Sequence, residues 1–406
     1  MNVLFITLLD FDNLNTSNIY TDLLSEFVKN GHNVYIISPT EKRFRRKTQL
    51  IKELNYQIVK KKIGNIQKTN FIEKGISTLK IDGQFLRTVK RYYKNISFDL
   101  VLYSTPPINF TRTISFLKKN YSAMTYLLLK DIFPQNAVDM GVLSTNGLKR
   151  PLYWFFRKKE IKLYELSDYI GCMSPANMNY VINHNPQLNK GKFEVNPNSV
   201  RISKIDLTLK KESIRKKYHI PENSTMYVYG GNLGKPQGID FLCECILETE
   251  KLSGNINIIV GSGTEYNKIE SFIKGNSIKK TILIPFLPKA DFDEVLSISD
   301  VGLIFLDRRF TIPNYPSRLL SYLQASLPIL MTSDSSTDLK DHLVEWKIGL
   351  WSISGDMRNF LQNYIFFLNE ENRTEMRKNS YKVLVNNFDV KNSYDLIIKH
   401  MREKGD

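Results

Sequence analysis

The chain predicts an α/β protein built from two doubly wound parallel-sheet domains, and three observations carry that class. Its 406 residues are more than one ordinary domain uses. Short apolar runs such as Val3–Ile6, Tyr126–Leu129 and Val301–Leu306 alternate with amphipathic stretches, the rhythm of parallel strands joined by helices. That rhythm restarts after the charged stretch Lys204–Lys217. With 42% hydrophobic and 24% charged residues there is apolar material for two cores and no compositional case for disorder.

In the first half, Val3–Leu9 reads as a strand, Asn18–Lys29 as a helix closed by Gly31, and Val34–Ser38 as the next strand. The strand Asp99–Ser104, helix Ile108–Lys118, strand Met124–Lys130, helix Arg150–Leu166 and strand Tyr169–Ser174 follow. The second half offers strands at Met226–Tyr229, Ile256–Val260, Thr281–Pro285, Val301–Phe305 and Pro328–Met331. Spacings of three and four then mark helices in Leu361–Leu368, Glu375–Val385 and Tyr394–Met401. A first domain over residues 1–205, a second over 206–406 that includes the helical tail, and a cleft between them are expected.

Several classes are excluded. No apolar stretch approaches the ~18–20 residues of a membrane-spanning helix. The first apolar run meets Asp10 with no basic region before it, so it reads as a buried strand and not a signal peptide. Three cysteines (Cys172, Cys243, Cys245), an odd number without metal-site spacing, suit a reducing cytoplasm. The five histidines (His32, His184, His219, His342, His400) are scattered, and none reads as part of a metal site. Nucleophile-elbow and P-loop motifs are missing, and the first loop, Asp10–Ser17, has no glycine with which to cradle a dinucleotide.

The net charge of +16 is uneven. Residues 1–200 carry 29 Lys and Arg against 15 Asp and Glu, whereas residues 201–406 carry 28 against 26. A basic first half calls for an anionic partner, unless it is simply a solvated surface. Two segments concentrate the charge: Lys42-Arg43-Phe44-Arg45-Arg46-Lys47, and Lys149–Lys159, in which Trp154, Phe155 and Phe156 lie between basic clusters. The second pattern suits a membrane interface, or else a core helix with solvated ends.

Chemistry in open α/β sheets gathers at the carboxyl ends of strands. After the strand Met226–Tyr229 comes Gly230-Gly231-Asn232-Leu233-Gly234-Lys235-Pro236-Gln237-Gly238, opening into a helix. Glycines admit a ligand close to the backbone, helix-start amides favour phosphate, and Lys235 adds charge. Gly261-Ser262-Gly263 and Pro316-Ser317-Arg318 follow later strands, and the three loops together describe a diphosphate pocket.

At this point the chain resembles the GT-B glycosyltransferases of family four, in the branch that builds bacterial capsule and O-antigen repeat units. The resemblance rests on Asn30–Val34, Lys130–Val138, Gly231–Asp240 and Pro316–Tyr322 and runs through both halves. It implies two Rossmann-like domains facing a cleft, and retaining transfer of a sugar, a hexose or an N-acetylated amino sugar, from a nucleotide diphosphate donor. The donor is usually a uridine one, and neither a bound metal nor another cofactor is used. Carried over by position, Gly231, Asn232, Lys235 and Gln237 face the diphosphate with Gly261 beside it. Main-chain atoms around Leu287 meet the base, and Ser317 and Arg318 meet the phosphates or the donor sugar. The family's two glutamates fall on Pro313 and Ser321, so a weaker hydroxyl replaces the carboxylate that commonly holds the ribose.

On this reading Lys235, Arg318 and the amides of Gly231 and Asn232 stabilise the departing diphosphate. Asp131 either orients or deprotonates the acceptor hydroxyl, or caps the turn that follows it. Asn15, Thr16 and Lys130 are the expected acceptor contacts. The resemblance further implies a polyprenyl-diphosphate-linked saccharide acceptor and an anionic inner-membrane surface as partners, hence a cytoplasmic protein peripheral to the inner face of the plasma membrane. Two alternatives are a non-hydrolysing nucleotide-sugar epimerase, for which no convincing acid–base set is evident, and a nucleic-acid-binding protein. The latter lacks aromatic-rich RNA motifs and leaves the glycine loops without purpose.

Overall fold

Runs of Val, Ile and Leu buried on both faces give parallel strands. The computed structural model, which describes residues 1–67, 69–203 and 211–403, contains two sheets of them. The first holds β1 (Asn2–Ile6), β2 (Asn33–Glu41), β3 (Gln49–Lys52), β4 (Tyr56–Ile63), β5 (Leu100–Ser104), β6 (Met124–Leu129), β7 (Tyr169–Cys172) and β8 (Phe193–Val195), in the order β3-β4-β2-β1-β5-β6-β7-β8. Its pairings are parallel except for the antiparallel edge strand β3. The second holds β9 (Thr225–Asn232), β10 (Asn255–Ser262), β11 (Thr281–Ile284), β12 (Val301–Phe305), β13 (Ile329–Ser333) and β14 (Gly349–Ile353), all parallel, in the order β11-β10-β9-β12-β13-β14.

In each sheet the strand order reverses beside the first strand, between β1 and β5 and again between β9 and β12. Loops leaving such a switch point diverge and open a crevice, which is where ligands bind in open α/β sheets. Each sheet has its own core. Val3, Phe5, Phe27, Ile36, Leu102 and Leu128 pack in one; Tyr227, Tyr229, Ile259, Phe305, Leu330 and Tyr364 pack in the other.

The chain divides into one unit of Met1–Arg201 with Val390–Asp406, and a second of Ile202–Asp389. The expected boundary at residues 205 and 206 lies outside the described residues. The assignment of the whole tail to the second domain is corrected. Helices Met357–Phe366 and Glu370–Asn387 do belong to the second unit, but helix Val390–Glu403 belongs to the first. Its apolar positions Val390, Tyr394, Ile397 and Ile398 fall on one helical face and are buried in the first core with Phe27. His32 Nε2 lies 2.9 Å from Tyr394 Oη, and His400 Nε2 lies 2.8 Å from Glu194 Oε2.

Strands β3, β4, β8 and β14 and helix Phe71–Tyr92 were not expected from periodicity. Within the Lys60-Lys61-Lys62 run of β4, Lys60 is buried.

Candidate functional site

In the second unit, β9 and β10 run on through their glycines, pairing Gly230 with Val260, Gly231 with Gly261 and Asn232 with Ser262. The expectation that the loop starts at Gly230 is corrected, and the reason is steric. A Cβ on Gly261 would lie 1.9 Å from the Gly231 carbonyl oxygen, and one on Gly230 would lie 2.2 Å from the Phe292 ring. These glycines let two strand ends close on each other. The chain then makes a 3-10 turn over Lys235–Gln237, passes Gly238 in the left-handed region (φ +58°) and enters helix Ile239–Glu250. The Asp307 amide, just beyond β12, donates to the Pro236 carbonyl at 3.0 Å, so the loop is fastened across the switch point.

Arg318, at the start of helix Arg318–Gln324, is the centre of this edge. Its Nη2 donates to Gln237 Oε1 at 2.7 Å, and its guanidinium sits 4.3 Å over the Tyr229 ring. Tyr229 in turn donates its hydroxyl to the Asn232 carbonyl at 2.8 Å. Arg318 Nη1 is buried and has no hydrogen-bond partner among the described residues. Gly231 lies beside the same cation, where a Cβ would meet Arg318 Nη2 at an ordinary 3.7 Å, and its φ of +124° is what calls for glycine. Tyr322, one turn on, accepts from the Gly230 amide at 2.9 Å and donates to the Leu303 carbonyl at 3.0 Å, tying the helix to β9 and β12.

Gly231, Asn232, Gln237, Gly261 and Arg318 thus come together, with Gln237 spending its amide oxygen on Arg318. Lys235 is exposed on the 3-10 turn, with no side-chain partner among the described residues. Ser317 is exposed immediately before Arg318, and Ser321 follows one turn later on the same helix. Leu287 is half-buried in the loop after β11, two strands from β9. Sequence reasoning missed Tyr229, because a strand aromatic reads as core, and Tyr322, although it lies in the segment singled out.

At the first unit's carboxyl edge, Lys130 and Asp131 follow β6. Asp131 accepts from Asn136 Nδ2 at 2.6 Å, and its carbonyl accepts from Thr105 Oγ1 at 3.1 Å. The carboxylate therefore does hold the following turn. Burial also raises its carboxyl to about 6, while hydrogen bonds from Ile132 and Asn136 oppose the rise. Lys130 Nζ donates to the Asn196 carbonyl at 3.4 Å, and burial lowers it to about 7. Neighbouring acid and base are both pushed toward neutrality, the condition in which proton transfer near pH 7 is efficient. Asn15 and Thr16 are exposed in the loop after β1, their amides donating to Asn13 Oδ1 at 2.9 and 3.3 Å. Only β5 separates β1 from β6, so these loops leave one edge.

Helix Arg150–Leu166 buries Glu160, Leu163 and Tyr164 while exposing Leu152, Trp154 and Phe155. The core reading fails for Trp154, which is 47% exposed; Phe156 turns inward against Phe133, with ring centroids 5.1 Å apart. Arg157 also faces inward, to Glu160 at 2.6 Å and the His184 carbonyl at 2.7 Å. In the other basic segment, Arg43 pairs with Glu41 and Arg46 with Asp12. All three cysteines are buried thiols. Among the described residues no helix is long and apolar enough to cross a membrane, and no group of three or more His, Cys, Asp or Glu is placed to hold a metal.

Residues 210–383 match the family model for glycosyl transferases group 1. A probable glycosyltransferase WbjE of Pseudomonas aeruginosa is 23% identical over 294 residues, covering 70% of this chain and 68% of that protein. Among solved structures, a sucrose-phosphate synthase from Thermosynechococcus elongatus aligns with a TM-score of 0.76 at 12% identity, covering 99% of this chain and 98% of that one. The Anabaena protein Alr3699/HepE, solved in complex with UDP, aligns at 0.66 and 12% identity over 99% and 100% of the two chains. The fold is GT-B, with two Rossmann-like domains, and the stretch that matches the group 1 glycosyl transferase model lies within the second unit.

Proposed function

We propose that this glycosyltransferase moves a sugar, with retention, from a uridine diphosphate donor in the second unit to a polyprenyl-diphosphate-linked saccharide in the first. Bacterial surface polysaccharide is the proposed product. One observation carries the donor half of this reading: a guanidinium clamped by Gln237 and stacked on Tyr229 keeps its Nη1 buried and unpartnered. A buried donor without an acceptor is costly, and an anion supplied by a ligand removes the cost. Uridine is favoured because a similarly folded protein is recorded with UDP.

In the proposed reaction the bond between the anomeric carbon and the diphosphate breaks as the acceptor oxygen bonds to that carbon. Negative charge grows on the leaving diphosphate. Arg318 is already held in place to meet it, so little reorganisation is needed at the moment of reaction. Lys235 adds a mobile charge, and the Gly231 and Asn232 amides are proposed to turn toward the phosphates. Asp131 takes or steers the acceptor proton. Exposed Leu152, Trp154 and Phe155, with Lys149, Arg150, Lys158 and Lys159 around them, are proposed to rest on the anionic inner face of the membrane. No metal or other cofactor is invoked.

The test is donor turnover with a panel of nucleotide sugars, with and without chelator. Release of nucleoside diphosphate and free sugar from one uridine donor, unchanged by chelator, is expected. An epimerised nucleotide sugar as product, or no turnover with any donor, overturns the proposal.

A further inference from the structure

The loop after β1 has no glycine, yet it must leave the strand sharply, and the structure shows what holds it. Lys60, in the middle of β4, is 1% exposed. Its ammonium meets three oxygens from three successive loop residues: the Asp10 carboxylate, the Phe11 carbonyl at 3.0 Å and Asp12 Oδ1 at 3.0 Å. Asp10 and Asp12 keep 37% and 49% of their side chains exposed, so the buried partner is the cation and the loop folds down onto it. A buried charge persists only when paired and fully hydrogen-bonded, and here all three partners belong to one loop.

Further ties hold the same loop. Ser38 Oγ donates to the Leu9 carbonyl at 2.8 Å and accepts from the Phe11 amide at 3.3 Å. Arg46 holds the outer oxygen of Asp12 at 3.2 Å. From Asp12 the loop continues to Asn13, whose side chain shapes the turn bearing Asn15 and Thr16.

We infer that Lys60 is a positioning residue: by clamping Asp10–Asp12 it sets where Asn15 and Thr16 meet the acceptor, an inference that rests on the acceptor reading proposed above. Lysine suits the role because its compact ammonium donates in three directions. A neutral side chain of similar length fills the volume and leaves three loop oxygens unpartnered.

The test compares wild type with Lys60→Met, Lys60→Arg and Asp12→Asn. Amide hydrogen exchange over residues 9–17 is read alongside acceptor KM and kcat, using extracted polyprenyl-diphosphate-linked saccharides and the donor identified by the panel. Lys60→Met is expected to speed exchange in the loop by ~10-fold or more. It should raise acceptor KM by ~10-fold while kcat moves by no more than about threefold, the split of a lost ground-state contact. Lys60→Arg should recover most of both effects. Asp12→Asn, which removes one partner at a half-exposed position, should move both readouts the same way by less, and serves if Lys60→Met does not fold. Unchanged exchange in the variants overturns the clamp. Faster exchange with unchanged acceptor KM overturns the acceptor role of this loop, and the positioning role with it.

Discussion

The two units build the same kind of edge by opposite means. After β9 the backbone is freed: Gly230 and Gly261 remove Cβ atoms so that a ring and two strand ends can crowd together, and Gly231 takes a φ of +124°. After β1 no residue is freed, and a buried Lys60 with Ser38 and Asn13 ties the loop from outside. The first solution brings main-chain amides close to a ligand, which suits phosphate. The second leaves side chains outermost, which suits a partner read by hydroxyl and amide groups. On the proposed reading, a donor defined by its diphosphate and an acceptor defined by its sugar call for this division.

The comparison can be broken first at Arg318. Arg318→Ala is expected to lower kcat/KM ~100–1,000-fold, about 3–4 kcal/mol of transition-state stabilisation, with thermal stability little changed. An activity loss of only a few-fold would show that the glycine-built edge does not serve the leaving group. Gly261→Ala tests the steric half of the contrast. Because its Cβ would strike the Gly231 carbonyl, it should cost about 2–3 kcal/mol in denaturant unfolding, whereas Asn15→Ala should stay within about 0.5 kcal/mol. Similar costs at both positions would erase the distinction.

Asp131→Asn sharpens the comparison from the first unit. The folded carboxyl, raised to about 6, binds more protons than the unfolded one between its ordinary value and about 6, so its burial costs stability as pH rises through that window. The variant should therefore be more stable than wild type near pH 7.5, by about 1–2 kcal/mol. Transfer by wild type should fall as pH drops through about 6, and the variant should be slower and lack that limb. A variant no more stable, with the limb intact, would return Asp131 to turn-holding alone. The smallest effect is expected at Trp154. Trp154→Ala should change stability by less than about 1 kcal/mol but weaken salt-sensitive co-sedimentation with anionic vesicles. Unaltered co-sedimentation would leave the basic first half as a solvated surface.

Strand β12 and helix Arg150–Leu166 were legible in the sequence because uninterrupted apolar runs and clean helical spacing leave few alternatives. Gly231, Asn232, Lys235 and Gln237 were legible as one glycine-rich turn after a strand because they sit in one short segment. Tyr229 was not, since nothing in a buried strand says which ring lies under a cation. Lys60 was hidden for the converse reason: within Lys60-Lys61-Lys62, composition cannot tell the buried lysine from its neighbours. The tail helix announced that it needed an apolar partner, but not which core would supply it.

That helix has a consequence for how the protein is made. Helix Val390–Glu403 completes the first core, and the entire second unit is encoded between it and Arg201. During synthesis Phe27 and its neighbours are made first, yet Tyr394 and Ile397, which complete their core, are made only after all of residues 202–389. The first unit therefore cannot close its core as a separately translated domain, and simple domain-by-domain folding from the N-terminus does not apply to it.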